Sequence, residues 1–390
     1  MLPKDRVQQL DIDSRKGCDA IFNANFLEDI PEALLQWGCS RVLLVASKSL
    51  ASNTDRISAL QSTLNSKLVH TKLGVGSHSP YADVRDIGMH IQQLQIDCVV
   101  SIGSCSYSDA SKIACLLAAN LEPGFGLDDM EALVDKHRGI ADHKDGKKQH
   151  FGHWDQGQPD LILLDPELAS TSPERLWLSS GIRCVDHCVE ILCNPKSGEK
   201  GYEGVQVHAE KGLRCMITGL TEYKHAKNKK EASQEDNELL LKGISECQYG
   251  SREALTGLLV WRVPMGPSHA IGHQLGSVAH VMHGITSCIM LAPVLRWQAA
   301  HLSHPHYKKA QARILDIFNE TLGWQETSAA DAIERFVMTL GLPTTLQEVN
   351  VTSDEQVREI AEKTMTDVWG GGNRQMEFDD VMEVLKSARG

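Results

Sequence analysis

Chemistry in this chain concentrates in Pro264–Gly284, PMGPSHAIGHQLGSVAHVMHG, where four histidines stand among small and apolar residues. Imidazole changes charge nearest neutral pH and its ring nitrogens are common metal ligands, so the cluster is a candidate acid–base or metal site. His269 and His273 are four apart and His280 follows seven later. On a continuous helix all three share one face, and His283 lies a turn further. Arg183 and His187 are likewise four apart in SSGIRCVDHCVEIL. A third stretch, Gly103-Ser104-Cys105-Ser106-Tyr107-Ser108-Asp109, runs into the helix-like SDASKIACLLAANL. A small-residue turn opening a helix offers backbone N–H groups and a positive dipole end that suit a phosphate, although the same residues also serve as ordinary caps.

Two kinds of element must position these groups. Arg41–Ala46, Leu68–Leu73, Cys98–Ile102 and Leu161–Leu164 are short apolar runs of the kind that become buried parallel strands. Val84, Ile87, Ile91 and Leu94 recur at helical spacing between the second and third. Strand, helix, strand with short connections predicts an open parallel α/β sheet whose ligands bind at the carboxyl ends of the strands. Ser172-Pro173-Glu174 reads as a helix start, with a cap residue, a proline at the first position and a carboxylate near the positive end. From there the pattern stays helical, with a polar interruption at 228–237, a break at Gly341-Leu342-Pro343 and an extended turn at Val349–Val351.

The length of 390 residues predicts two domains, 1–169 and 170–390. A net charge of −12 leaves no basic surplus to neutralise phosphates, which excludes nucleic acid and anionic membranes as expected partners. Eleven cysteines without a CxxC pair read as reduced thiols, and Cys184 and Cys188 as packing residues. No stretch approaches a membrane span, and the first residues, MLPKDRVQQLDID, lack an apolar signal region. The expected location is cytoplasmic.

Taken in order, these stretches are similar to a known family. GVGSHSP at Gly74–Pro80, DCVVSIGSCSYSDASK at Asp97–Lys112, LILLDPEL at Leu161–Leu168, SGIRCVDHCVE at Ser180–Glu190, the histidine stretch and LGLPTTLQEV at Leu340–Val349 carry the likeness. The chain resembles the iron-containing (group III) alcohol dehydrogenases and, more closely, their maleylacetate-reductase branch and fungal relatives. The resemblance implies a dinucleotide-binding-like α/β N-terminal domain and an all-α C-terminal domain, with the active site in the cleft between them, a small-molecule substrate and a homodimer. It assigns Gly103, Ser104, Cys105, Ser106, Asp109 and Lys112 to the cofactor, NAD(P)H, and puts His273 near its nicotinamide. It assigns the divalent iron or zinc to an aspartate and a histidine in D-x-x-x-H plus two histidines fourteen apart.

Here those four positions read Arg183, His187, His269 and His283, so three histidines remain and the carboxylate is a guanidinium. A unit charge pair about 4 Å apart is worth roughly 4 kcal/mol at an effective dielectric near 20, and a divalent ion doubles that. Reversing the sign turns this attraction into a comparable repulsion. The expectation is a guanidinium at the former metal position, polarising a carbonyl or clamping a carboxylate. Two further departures touch the cofactor: Gly-Gly-Gly-Ser reads Gly103-Ser104-Cys105-Ser106, and Asp128–Lys148 shows neither the strand nor the Pro-Thr-Thr/Ser loop that covers it in relatives. Ser47 stands where some relatives hold the adenosine ribose with an acid, which leaves room for a 2′-phosphate.

The expected function is therefore non-redox acid–base chemistry (dehydration, isomerisation or cyclisation) on a small carbonyl or enol, without cofactor or metal. Arg183, His187, His269, His273 and His283 would be its catalytic groups. The alternatives are an NAD(P)H-dependent oxidoreductase of maleylacetate-reductase type and a non-catalytic scaffold.

Overall fold

A computed structural model of the chain describes residues 7–8, 19–76, 79–131, 140–141, 148–149, 159–229, 233–367, 369 and 374–390. Two compact units, Met1–Thr171 and Ser172–Gly390, make it up. In the first, β1 (Val7–Gln8), β2 (Asp19–Phe22) and α1 (Phe26–Gln36) lead into β3 (Val42–Ala46), α2 (Lys48–Asn53), α3 (Arg56–Leu64), β4 (Leu68–Leu73), α4 (Tyr81–Gln93), β5 (Cys98–Ile102) and α5 (Cys105–Asn120). Then come α6 (Leu127–Glu131), β6 (Ile140–Ala141), β7 (Lys148–Gln149), β8 (Leu161–Leu164) and α7 (Pro166–Ala169).

The expected apolar runs all become strands, the first from Val42. β3 lies between β4 and β5, parallel to both, while β2 pairs parallel with β8 and antiparallel with β1. β3 is buried on both faces because its side chains alternate. Leu43 and Val45 join Val84, Ile87 and Ile113 in one apolar layer; Val42, Leu44 and Ala46 join Ile30, Leu34 and Leu60 in the other. With β4 and β5 on opposite sides of β3, the carboxyl ends of β3 and β5 flank a topological switch point, where open parallel sheets bind ligands.

Asp128–Lys148 corrects one reading. Where no strand is legible, β6 pairs antiparallel with β7. A ladder of two residues needs no apolar run, so hydrophobic periodicity has nothing to detect. Residues 132–139 and 142–147, with the helix-like Ala132–Val134, lie outside the described residues.

The second unit is helical: α8 (Glu174–Cys193), α9 (Glu203–Lys227), α10 (Gln234–Trp261), α11 (Pro267–Ala279), α12 (His283–His301), α13 (Pro305–Leu322), α14 (Ala329–Thr339), α15 (Asp354–Thr364) and α16 (Phe378–Ser387). Pro173 holds the cap position of α8 and Glu174 opens the helix, one residue later than Ser172 suggests. The extended turn expected at Val349–Val351 is instead a 3-10 turn over Gln347–Val349. α9 and α10 approach backbone to backbone through Gly219 and Gly243. A Cβ on the first would lie 2.6 Å from the Gly243 carbonyl oxygen, and one on the second 2.8 Å from that of Gly219. Among the described residues no helix is long and apolar enough to cross a membrane.

Candidate active site

α8 carries Arg183, Asp186, His187 and Glu190, spaced i, i+3, i+4 and i+7 along a helix half that is otherwise apolar from Gly181 to Cys193. This is a polar stripe turned inward: Arg183, Asp186 and Glu190 are buried and His187 half-buried. It faces the start of α11, where Gly266 N and Ser268 N donate to Glu190 Oε2 (2.9 Å) and Oε1 (2.6 Å). Glu190 thus satisfies first-turn amides that Gly266, at the cap position, cannot satisfy with a side chain. The same carboxyl holds His269, whose Nδ1 lies 2.8 Å from Glu190 Oε2.

His187 is oriented by its own helix. Its Nδ1 is 2.6 Å from the Arg183 carbonyl oxygen, which only accepts, so Nδ1 carries the hydrogen and Nε2 a lone pair. That lone pair faces His269 Nε2 at 3.3 Å. His269 is therefore the donor there, with Nε2–H. If its Nδ1 also kept a hydrogen, the ring would be an imidazolium beside a carboxylate; otherwise Glu190 is a carboxylic acid donating to Nδ1. Burial, then the Arg183 charge, pushes the His269 affinity for a proton well down; burial, then the Asp186 charge, pushes that of Glu190 well up. Both directions favour the neutral pair, with the proton on Glu190. His187 is likewise held neutral, its pKa lowered to about 3 by burial and by Arg183.

Arg183 is buried. Its Nη1 donates to Ser287 Oγ (3.0 Å) and lies 3.5 Å from Asp186 Oδ2. Ser287 Oγ and Ser268 Oγ donate to that same Asp186 oxygen at 2.5 and 3.1 Å. The guanidinium is thus a partner in a buried ion pair. Burial holds the Asp186 pKa up at about 6 despite the neighbouring positive charge and the two hydroxyls.

The remaining histidines continue outward. Ring centroids run from His187 to His269 (4.5 Å), His269 to His273 (6.0 Å) and His273 to His283 (5.9 Å). His273 Nδ1 is 3.2 Å from Asp367 Oδ2, which also accepts from Gln274 Nε2 at 2.9 Å. The continuous helix expected through His280 is broken: α11 ends at Ala279 and His280, exposed, takes a left-handed conformation, φ 54° and ψ 27°. His283 instead opens α12. Asp186, Glu190 and Asp367 are the groups that histidine spacing misses. The first two were detectable as a four-residue polar stripe on an apolar helix; Asp367 lies 94 residues from its partner and gives no local signal.

In the first unit, Gly103-Ser104-Cys105-Ser106 forms the connection from β5 into α5 at the switch point. Ser104 makes no capping bond with its side chain, so the positive end of this sixteen-residue helix is not consumed by a cap. Asp109 and Lys112 pair with each other at 3.5 Å. Beyond the ends of β3 and β4 lies an open cavity of about 630 Å³ lined by Lys48, Ser49, Ser52, Lys72, Gly74 and Tyr107 among others. These features fit a dinucleotide.

A divalent ion fits less well. Asp186, Glu190 and His269 bring ligand atoms within 4.8 Å of one another, a candidate cation site by chemistry and distance among the described residues. Yet both His269–carboxylate contacts run through Nδ1, already bonded to Glu190, and Glu190 is committed to two amides. The two Nε2 atoms that face each other at 3.3 Å suit a cation, but the Arg183 charge that lowers the proton affinity of both rings repels a dication there too. The residues present do not fit the ion that the resemblance implies.

The chain is thus a parallel α/β unit followed by a helical unit that carries a row of histidines. The family profile described as "Fe-containing alcohol dehydrogenase family, C-terminal" matches residues 217–389, and "Iron-containing alcohol dehydrogenase" matches residues 19–150. The chain belongs to the iron-containing alcohol dehydrogenase family. It is 27% identical over 401 residues to dehydrogenase ALT3 of Alternaria alternata, covering 90% of this chain and 100% of that one. To the maleylacetate reductase of Burkholderia cepacia it is 23% identical, covering 83% and 85%. The NADH-dependent butanol dehydrogenase A of Thermotoga maritima superposes with a TM-score of 0.74 at 16% identity, over 95% of this chain and 96% of that one.

Proposed function

We propose that the protein is a nicotinamide-dependent oxidoreductase that interconverts a carbonyl compound and its alcohol, with His269 as the acid–base group. The observation that carries the reading is the 3.3 Å contact between His269 Nε2 and His187 Nε2, with each Nδ1 fixed by an oxygen. A substrate oxygen that displaces His187 as acceptor meets a hydrogen already aimed at it. When bound, reduced nicotinamide supplies the hydride to the carbonyl carbon. His269 gives its Nε2 proton to the oxygen and takes one from Glu190 through Nδ1, so the ring ends neutral and Glu190 a carboxylate awaiting a proton from solvent. The reverse sequence serves alcohol oxidation.

The named relatives support redox chemistry: they are a dehydrogenase and a reductase. The absence of a carboxylate at Ser47-Lys48-Ser49, after β3, favours NADPH over NADH, since neither hydroxyl nor ammonium repels a 2′-phosphate. A fluorescence titration with NADPH and NADH tests the reading. Micromolar binding of either, tighter for NADPH, is expected. Millimolar or weaker binding of both would remove it and leave the His269–Glu190 pair to the non-redox proton transfers expected from the altered turn.

A further inference from the structure

The first unit's cavity belongs to the proposed cofactor, and the His208–Glu253–Lys211 network ties α9 to α10 without a ligand to suggest; the buried pair on α8 leads further. We propose that Arg183, by cancelling the charge of Asp186 beside the histidine pair, closes that pair to divalent metals, and that this one side chain is what separates the site from a metal centre.

Three observations carry this. His187 and His269 bring two neutral imidazole Nε2 atoms within 3.3 Å, with each Nδ1 held by an oxygen, so moving the His269 proton from Nε2 to Nδ1, with Glu190 then the acceptor, would free both Nε2 lone pairs for a transition metal. Arg183 lies one helical turn before His187, so a shorter acidic side chain there would stand on the same face, i, i+4 from the imidazole. Finally, the guanidinium is accommodated by α11 at Gly272, where a Cβ would lie 3.5 Å from Arg183 Nη1 and 2.9 Å from Thr286 Oγ1. Gly272 falls on α11 between His269 and His273, so the positive charge sits at the wall of the histidine row.

Charge completes the argument. Arg183 and Asp186 sum to zero, and Asp186 Oδ1 is buried without a hydrogen-bond partner among the described residues. Replacing Arg183 by aspartate leaves two buried carboxylates beside two imidazoles, a net charge that one dication neutralises. The inference concerns metal binding itself and stands whether or not the chain is a reductase.

The test is Zn2+ calorimetry and Co2+ absorption on the full chain, stripped with a chelator, for wild type, Arg183→Asp and Arg183→Gln. Wild type is expected to bind less than a tenth of an equivalent at micromolar metal. Arg183→Asp is expected to bind one equivalent with a dissociation constant at least about a hundredfold lower than wild type, to gain visible d–d bands with Co2+, and to melt higher with Zn2+ than without. His269→Ala added to Arg183→Asp should abolish the bands. Stoichiometric tight metal in wild type overturns the proposal, as does a folded Arg183→Asp that binds no better than wild type. If Arg183→Asp does not fold, Arg183→Gln decides: removing the charge alone should tighten Zn2+ measurably, and no change against wild type overturns the proposal.

Discussion

Glu190→Gln tests whether one carboxyl really organises the site. Glu190 accepts from two α11 amides, one per oxygen, at 2.9 and 2.6 Å, and the oxygen shared with Gly266 also touches His269 Nδ1 at 2.8 Å. Glutamine keeps the volume but turns one oxygen into a donor. Whichever way the amide lies, one buried N–H of α11 then faces another N–H instead of an acceptor. An unsatisfied buried donor costs about 1–3 kcal/mol. For a unit the size of Ser172–Gly390, each kcal/mol lowers the melting temperature by about 2–4 °C, so a drop of about 2–12 °C is expected in scanning calorimetry at pH 7. Turnover should fall further than stability explains, because an amide cannot pass a proton to His269. A melting temperature within about 1 °C of wild type would refute the reasoning, since Glu190 would then not be the acceptor that α11 depends on.

Two further predictions concern stability. Gly219→Ala puts a Cβ 2.6 Å from the Gly243 carbonyl oxygen and 2.9 Å from Cys247 N, backbone atoms that cannot step aside; α9 and α10 must separate, and chemical denaturation should register a loss of about 1–3 kcal/mol. Asp186 gives a pH signature. Its folded pKa of about 6 stands above the usual 3.8, so between those values the folded state holds the proton more tightly and stability falls as pH rises from about 4 to about 6, by an amount of order 3 kcal/mol. Asp186→Asn lacks that slope; a wild-type-minus-variant difference that stays constant over the range would count against it.

What the sequence made legible follows from the range over which each signal acts. Val42–Ala46, Leu68–Leu73 and Cys98–Ile102 are readable as strands because each is a local apolar run, and their parallel order is a consequence of the helices between them. The His187–His269–His273–His283 row is partly readable, since helical spacing relates residues within a helix. It failed at His280 because a left-handed residue leaves no mark in an apolar pattern. Arg183 is readable as a departure, but its partner's role is not: Asp186 is three residues on, and its burial reverses what an Arg–Asp pair on a helix usually means, from a solvated surface bridge to a costly internal charge pair.

That reversal ties the site's chemistry to its stability. A buried Arg–Asp pair does not repay its desolvation well, so its retention beside two neutral imidazoles is better explained by what the charge does than by what it stabilises. Burial first, and Arg183 after it, drives both histidines neutral, and burial leaves the transferable proton on Glu190, the one group of the three that it renders a stronger base. Take away the positive charge and the imidazoles regain affinity for protons and for metals alike. Burial thus sets the protonation state that lets His269 act as a neutral donor, Arg183 reinforces it at both imidazoles, and the same charge opposes a cation at their nitrogens.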